Sequence, residues 1–306
     1  MKSPVLDIVI PVYNGYDLLK ACLASVEAHT TQPYHVWIGD DCSRQTVLKE
    51  FYHTLDPKRY TVTINKNRRG FPGNCNDAVA KGSAPFICLL NSDTRVTKQW
   101  VEPSLDDLME PKVGVVGCRC VYPREAADHG DTIQHAGVAR NSQGLPYHIY
   151  RHSPKNAPEV NRRLQVNCVT FACAFIRRDT WNQLGGLDEH FRQGQFEDVD
   201  FCWKARAAGW DIIYEPKTLI YHHEHGSGEQ EWAEAKSMQN RDLLMKRWGN
   251  QGSDEYLFAP TLKGYKPLLE TVMEAILPKM TAIIDARIEQ ALILRGITVP
   301  EDDEDE

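Results

Sequence analysis

Long apolar runs and an excess of positive charge are both missing from this 306-residue sequence. No stretch approaches the roughly 20 consecutive apolar residues that a membrane-spanning helix needs, and the apolar run in MKSPVLDIVIPVYNG is too short for a signal peptide. The formal net charge of −7 argues against binding to a nucleic-acid backbone. Part of that charge comes from residues 301–306 (EDDEDE), which we expect to form a disordered, solubilising tail.

Paired cysteines and zinc-type cysteine spacing are missing as well. The nine cysteines are an odd number, and Cys118 and Cys120 are two residues apart rather than in a C-x-x-C pattern. Cys88 and Cys173 lie inside apolar runs, as small core residues do. We therefore expect reduced thiols and a cytoplasmic protein, with the inner face of a membrane as an alternative place of action.

Strand and helix patterns alternate over the first hundred residues. Apolar runs and helical spacing predict strands at 7–12, 34–38, 60–64 and 86–90, and helices at 17–28 and 73–80. This order predicts an α/β fold with a Rossmann-like, doubly wound and mostly parallel sheet. In such sheets a ligand binds beyond the carboxyl ends of the strands.

Polar residues follow each of these four strands, at the point where the chain leaves the sheet. They are Tyr13 with Asn14, Asp40 with Asp41, residues 65–67 (Asn-Lys-Asn) and residues 91–93 (Asn-Ser-Asp). One such cluster is typical of a turn. Four clusters at the same edge of a sheet predict a binding site.

The pattern after residue 100 is less regular. It predicts a strand at 113–117, loops over 121–163, one long strand at 166–176, a helix opening at 196–200 and stopped by Gly209, short strands at 212–214 and 219–221, and a helix at 232–248. We expect residues 1–250 to form one domain. Residues 251–300 would be a helical extension, followed by the acidic tail.

The extension carries an apolar stripe with helical spacing. The stripe consists of Met280, Ile283, Ile284, Ile288 and Leu292. A helix with one apolar face and no domain after it either packs back on the body or pairs with a second copy of the chain. The sequence therefore predicts a C-terminal helix that could mediate a homodimer.

Asp93 and two adjacent histidines are the candidate metal ligands. Asp93 is a hard oxygen donor at a strand end, and His222 or His223 at a later strand end could join it. Oxygen and imidazole ligands with open positions suit Mn²⁺ or Mg²⁺. Two interpretations stay open: Asp93 caps a turn beside surface histidines, or the His-His-Glu-His run at 222–225 binds zinc.

Glu197 and Asp198 are the candidate general bases. They open a helix within the sequence Glu-Asp-Val-Asp at 197–200, where acids also simply complement the helix dipole. A loop rich in Gly and Gln at 192–195 precedes them instead of an N-cap serine. A carboxylate at the mouth of such a loop can accept a proton from a substrate hydroxyl.

The segment 70–74 (Gly-Phe-Pro-Gly-Asn) is a candidate for phosphate binding. It precedes a predicted helix, and amides at a helix N-terminus can face a diphosphate. The segment is neither a Walker A motif nor a G-x-G-x-x-G motif.

Eight motifs, in this order, closely resemble glycosyltransferase family 2, in its rhamnosyltransferase-like branch with the GT-A fold. They are IVIPVYNG (Ile8–Gly15), GDDCS (Gly39–Ser43), NRRGFPGNCN (Asn67–Asn76), LNSDTRV (Leu90–Val96), IQHAGV (Ile133–Val138), GGLDEHF (Gly185–Phe191), EDVDFCWKARAAGW (Glu197–Trp210) and YHH (Tyr221–His223). The resemblance covers roughly residues 5–250, and the chain after Pro260 lies outside it.

The resemblance implies an inverting transfer of a sugar from a UDP- or dTDP-linked donor. The acceptor would be a hydroxyl of a glycan, a lipid-linked sugar or another molecule. The family pattern places Asp40 at the pyrimidine base, and it assigns to the nucleotide-binding set Pro11, Tyr13, Asn14, Asn67, Gly70, Gly73, Asn74, Asn91 and Ser92.

The resemblance also implies roles for the candidate metal ligands and bases. Asp93 matches the last position of the family's DxD metal motif, whose first aspartate is replaced here by Asn91. His222 matches the third ligand, and Asp198 matches the general base, with Glu197 as the second choice. The loss of one carboxylate predicts a weaker or more donor-dependent metal site.

Two other functions share part of this pattern. A nucleotidyltransferase has a similar sheet, metal aspartate and nucleotide pocket, but it usually carries a Gly-rich loop with Arg or Lys after the first strand. This chain has Tyr-Asn-Gly there, at 13–15. A non-catalytic nucleotide-sugar-binding protein would be expected to lose Asp93 or Asp198, and both are present.

Overall fold

The computed structural model describes residues 3–126, 129–140, 145–223 and 230–249. Strands and helices alternate through the first part of the chain, as the sequence predicts. The elements are β1 (Leu6–Val12), α1 (Tyr16–His29), β2 (Tyr34–Asp40), α2 (Thr46–Tyr52), β3 (Tyr60–Ile64), α3 (Gly70–Val79), β4 (Phe86–Leu90), β5 (Thr94–Val96), α4 (Glu102–Leu108) and β6 (Val113–Val121).

The second part of the described chain adds short strands and three more helices. They are β7 (Ile133–His135), β8 (Val138–Arg140), β9 (Pro146–His148), a 3₁₀ turn (Pro158–Asn161), β10 (Leu164–Val166), β11 (Cys173–Arg177), α5 (Arg178–Leu184), α6 (Glu197–Ala207), β12 (Asp211–His222) and α7 (Gln230–Trp248). Residues 251–300 and the tail 301–306 lie outside the described residues. The domain boundaries and the C-terminal helix therefore stay predictions.

A central sheet organises these elements and confirms the predicted α/β class. Its strand order is β10-β12-β6-β11-β4-β1-β2-β3, with β5 beside β12 and β7 beside β6. The pairings make β3, β2, β1, β4, β6 and β12 run in one direction, while β11 runs against its neighbours β4 and β6. The shared direction brings the carboxyl ends of six strands to one edge.

Apolar side chains on both faces of the sheet make this edge rigid. Ile8, Val9 and Ile10 of β1 have no exposed surface, because helices cover the sheet on both sides. Helix α1 buries one face only, through Leu19, Cys22, Leu23 and Val26. A strand buried in this way holds the residue at its end in a fixed position.

Three predicted elements differ from the observed ones. The predicted strand 166–176 is split into β10 and β11, because residues 167–172 leave the sheet. The predicted strands 212–214 and 219–221 form one strand, β12, with an irregular register between Glu215 and Leu219. Helix α2 and the strands β7, β8 and β9 within the predicted loops 121–163 were not foreseen.

Among the described residues, no helix combines the length and the apolar character that crossing a membrane requires.

Candidate active site

A cavity of about 580 Å³ lies at the carboxyl edge of the sheet, where the sequence predicts a site. It is bordered by the ends of β1, β4 and β12 and by the first turns of α3 and α6. The predicted site residues that line it are Pro11, Tyr13, Asn14, Gly70, Asn74, Asn91, Ser92, Asp93, Glu197, Asp198 and His222.

Three predicted nucleotide-binding residues, Asp40, Asn67 and Gly73, do not line the cavity. For Asp40 the reason is clear, because its two carboxylate oxygens accept hydrogen bonds from Ser43 N–H at 2.6 Å and from Tyr52 O–H at 2.7 Å. Asp40 is 1% exposed and connects β2 to α2. Asp40 as the residue at the nucleotide base therefore stays a prediction, and in this structure its neighbour Asp41 lines the cavity.

Asp41 organises the turn before α3. Its carboxylate accepts hydrogen bonds from Arg69 N–H at 2.6 Å, Gly70 N–H at 3.0 Å and Arg68 Nε at 3.0 Å. These bonds let α3 begin at Gly70, three residues before the predicted start, because the first amides of a helix need external acceptors. The amides of Arg69 and Gly70 are thus occupied by Asp41, whereas the sequence suggested that amides of segment 70–74 face a diphosphate.

Arg68 is a charged cavity residue to which the sequence analysis gave no role, and Asp41 was named there only as part of the polar end of β2. The guanidinium of Arg68 lies over the ring of Tyr13, 3.5 Å from the ring centroid, and forms an ion pair with Asp41. The sequence did carry a signal for Asp41, since consecutive residues at a strand end point to opposite sides. Only one of Asp40 and Asp41 could therefore face the ligand.

The candidate metal ligands Asp93 and His222 are neighbours because of strand pairing. Strand β5 begins at Thr94, which lies opposite His222 of β12. Asp93 Oδ1 is 3.1 Å from His222 Nε2, and Asn91 Nδ2 is 3.4 Å from the same nitrogen. The Oδ1 atom of Asn91 is buried and has no hydrogen-bond partner among the residues that the structure describes.

These residues fit a divalent cation. Asn91 Oδ1 is a buried acceptor without a partner, and Asp93 supplies a carboxylate at the same strand end. Oxygen donors joined by one imidazole suit Mn²⁺ or Mg²⁺. Within the described ranges no group of three His, Cys, Asp or Glu side chains is arranged to hold a metal, so the oxygens of a bound diphosphate would have to complete the coordination.

His223 points to other partners. Its Nε2 is 2.9 Å from Arg95 Nη2 and 3.7 Å from Glu125 Oε1. The zinc alternative also needs Glu224 and His225, which lie outside the described residues.

The two candidate bases open α6 and line the same cavity. Glu197 is buried, and Asp198 is half-buried with Oδ1 accepting a hydrogen bond from Val199 N–H at 2.8 Å. Burial raises the pKa of Asp198 to about 6. Burial and the neighbouring Asp198 charge raise the pKa of Glu197 well above its ordinary value. A carboxylate with a pKa near neutrality is suited to accept a proton.

The loop before α6 is held in an unusual conformation. Gln193, Gly194, Gln195 and Phe196 all have positive φ angles, between 71° and 115°, and three of them are not glycine. Such angles are costly for residues with a side chain and persist where the surroundings impose them. Asn240 of α7 holds this loop, since its Nδ2 donates to Gly194 O at 2.8 Å and to Arg192 O at 3.2 Å.

Solved structures with a similar fold identify the fold class of this chain. GalNAc-T7, solved with UDP, GalNAc and Mn²⁺, matches with a TM-score of 0.67 and 16% identity over 82% of this chain and 50% of that chain. PcManGT from Pyrobaculum calidifontis, solved with GDP-Man and Mn²⁺, matches with a TM-score of 0.58 and 16% identity over 83% of this chain and 66% of that chain. The fold is that of the GT-A glycosyltransferases.

The chain belongs to glycosyl transferase family 2, whose family model matches residues 7–185. Protein y4gI of Sinorhizobium fredii is 27% identical over 85% of this chain and 29% of its own length. The O-antigen biosynthesis protein RfbC of Myxococcus xanthus is 27% identical over 74% of this chain and 18% of its own length. The chain thus spans less than a third of these two relatives.

A shorter relative is covered over most of its length. The N-acetylglucosaminyl-diphospho-decaprenol L-rhamnosyltransferase of Mycobacterium tuberculosis is 25% identical over 74% of this chain and 78% of its own length. The resemblance of the sequence to the family is confirmed.

Proposed function

We propose that this chain transfers a sugar from a nucleoside-diphosphate donor to an acceptor hydroxyl, with inversion at the anomeric carbon and with Mn²⁺ or Mg²⁺ as cofactor. One observation carries the proposal: the same cavity contains a metal-type pair, Asp93 with His222, and a carboxylate of raised pKa, Asp198. Family membership supports glycosyl transfer as the reaction.

The nucleotide end of the donor belongs between β1 and α3. Tyr13, Arg68 and Asp41 form a polar and aromatic surface there, and Arg68 is a cation available to an anionic donor. A pyrimidine base, as in UDP or dTDP, would have to replace the Arg68–Asp41 contact to pair with these two groups, because the Asp41 carboxylate already accepts hydrogen bonds from Arg68, Arg69 and Gly70. Because the family resemblance implies a UDP- or dTDP-linked donor, we favour a pyrimidine-linked donor over GDP-linked sugars.

The diphosphate end belongs at Asn91, Asp93 and His222. These residues would hold a divalent cation, which when bound neutralises the negative charge on the leaving nucleoside diphosphate. Gln134 and Asn91 fix the His222 ring, so the ligand geometry exists before the donor arrives. Fixed charges at a leaving group lower the barrier to its departure.

Asp198 acts on the acceptor. Its carboxylate accepts the proton of the acceptor hydroxyl, and the oxygen attacks the anomeric carbon as the bond to the diphosphate oxygen breaks. The bonding electrons leave with the nucleoside diphosphate. Attack from the face opposite the leaving group inverts the configuration.

The proposal is tested by donor turnover. The protein is incubated with UDP-, dTDP- and GDP-linked sugars, with and without Mn²⁺, and released nucleoside diphosphate is measured. We expect slow, metal-dependent release from a pyrimidine-linked donor even without an acceptor. Release of pyrophosphate from a nucleoside triphosphate and a sugar phosphate, with no release from any sugar donor, would instead identify a nucleotidyltransferase.

A further inference from the structure

Gln134 is a buried polar residue next to the candidate metal ligands. It lies on β7, in the segment Ile133–Val138, and is 3% exposed. Its Oε1 is 2.6 Å from His222 Nδ1, although the two residues are 88 positions apart. Strands β7 and β12 both pair with β6, which brings Gln134 beside the end of β12.

A second contact fixes the orientation of the Gln134 amide. Its Nε2 donates a hydrogen bond to the backbone oxygen of His222 at 3.4 Å. The flipped amide would turn its oxygen toward that carbonyl and so bring two acceptors together. The unflipped amide therefore points Oε1 at His222 Nδ1.

This orientation determines where the His222 proton sits. An amide oxygen only accepts, so Nδ1 must carry the hydrogen that bonds to Gln134. In neutral imidazole the other nitrogen, Nε2, then has a lone pair. That lone pair lies 3.1 Å from Asp93 Oδ1 and 3.4 Å from the amide nitrogen of Asn91, so a cation held by the two acceptors would replace one long contact with Asn91 Nδ2.

The alternative tautomer, with the proton on Nε2, would hinder cation binding. If Nε2 carried the proton, it would donate directly to the Asp93 carboxylate, and the two ligands would satisfy each other. A cation would then have to break this hydrogen bond and remove the proton before binding. Gln134 opposes that state, because its oxygen would face an unprotonated Nδ1.

We propose that Gln134 is a positioning residue that holds His222 as its Nδ1–H tautomer, so that Nε2 and Asp93 together present a preformed cation site. The inference deepens the proposed function and rests on its assignment of Asp93 and His222. Hydrogen-bond partners that orient a ligating histidine commonly contribute 10–100-fold to metal affinity.

Two variants of similar size separate the hydrogen bond from packing. Gln134→Met fills the same space and removes the acceptor, whereas Gln134→Glu retains a carboxyl oxygen at the same position. Mn²⁺ affinity is measured by the electron paramagnetic resonance of free Mn²⁺ in the presence of UDP. We expect about 10–100-fold weaker binding for Gln134→Met and wild-type or tighter binding for Gln134→Glu, with a cooperative thermal unfolding transition for both as the evidence that they are folded.

The tautomer is read directly in the metal-free protein. Nitrogen-15 NMR of the imidazole at about pH 9, well above the ordinary histidine pKa of about 6.5, should show His222 protonated at Nδ1 in the wild type. In Gln134→Met the Nε2–H form should gain population. An Nε2–H tautomer in the wild type, or a Mn²⁺ affinity within twofold of wild type for Gln134→Met, would overturn the inference. A wild-type protein that binds no Mn²⁺ at all would instead overturn the proposed metal site.

Discussion

At the scale of single residues, the proposed role of Asp198 as general base depends on the surroundings of its carboxylate, since Glu197 next to it carries the same chemical group. Glu197 and Asp198 are adjacent in sequence, yet Glu197 is 6% exposed with Oε2 lacking a hydrogen-bond partner, whereas Asp198 is half-buried. Burial and the neighbouring Asp198 charge raise the pKa of Glu197 well above its ordinary value, which disfavours its ionised form. Asp198, with its pKa raised by burial to about 6, is ionised at neutral pH.

Asp198→Asn should abolish proton transfer while retaining the shape of the side chain. We expect the transfer rate to fall by about 10²–10⁴-fold, with donor affinity retained, because a general base acts only in the chemical step. Glu197→Gln is the matched variant and should keep most of the rate. An inactive Glu197→Gln beside an active Asp198→Asn would reverse the assignment within the pair.

The pH dependence of turnover follows from the same group. The base works only when deprotonated, so kcat/KM should rise with pH, reach half its maximum at about pH 6, and level off above it. The slope below the midpoint should approach tenfold per pH unit. A rate that falls as pH rises through 6 would mean that the essential group acts as an acid.

At the scale of elements, helix α3 and the loop before α6 approach each other closely at Gly70. Gly70 opens α3 with a φ of +69°, and a Cβ there would lie 2.6 Å from Gln193 N in the loop before α6. That loop leads directly to Glu197 and Asp198. A side chain at position 70 must therefore displace the segment that aims the base.

Gly70→Ala and Gly185→Ala form a matched pair for this contact. Gly185 has a similar φ of +75° with no atom near its Cβ position, so both variants share a backbone cost of about 1–2 kcal/mol. Only Gly70→Ala should also lose turnover, by about 10²-fold, because misplacing a catalytic group by about 1 Å has effects of that size. Urea unfolding and kcat together separate the two effects, and equal kcat values for both variants would contradict the proposed coupling.

The sequence predicts the elements at the edge of the site better than those of the second half. Strands β1, β2, β3 and β4 are short apolar runs, and polar residues that follow β1, β2 and β4 line the cavity, whereas those that follow β3 do not. The stretch 166–176 reads as one strand because it is apolar throughout, but residues 170–172 leave the sheet and line the cavity. Hydrophobicity reports burial, and it does not distinguish burial in the sheet from burial beneath the site.

The choice between Asp40 and Asp41 shows a second limit of sequence. The two residues are adjacent at the end of β2, and only tertiary contacts decide which one lines the cavity. Tyr52 belongs to α2, a helix that the pattern did not reveal, and it is the partner that occupies Asp40. The Gln134–His222 contact likewise joins positions 88 residues apart, which no local pattern indicates.

At the scale of the whole molecule, the sequence after Pro260 predicts a helix with an unburied apolar stripe, which we expect to mediate a homodimer. Light scattering at micromolar concentration should give twice the chain mass for the full chain and the monomer mass for a chain truncated after Pro260. Loss of an apolar interface accounts for the change. A full chain that is already monomeric at that concentration would exclude this dimer.

The central claim is that two parts of the cavity have separate roles. Asp93 holds the metal and the diphosphate of the donor, and Asp198 accepts the proton of the acceptor. Calorimetric titration of UDP or dTDP, with and without Mn²⁺, into wild type, Asp93→Ala and Asp198→Asn tests it most directly. We predict Mn²⁺-dependent nucleotide binding that Asp93→Ala abolishes and Asp198→Asn retains. Mn²⁺-dependent affinity that is unchanged in Asp93→Ala would contradict the account.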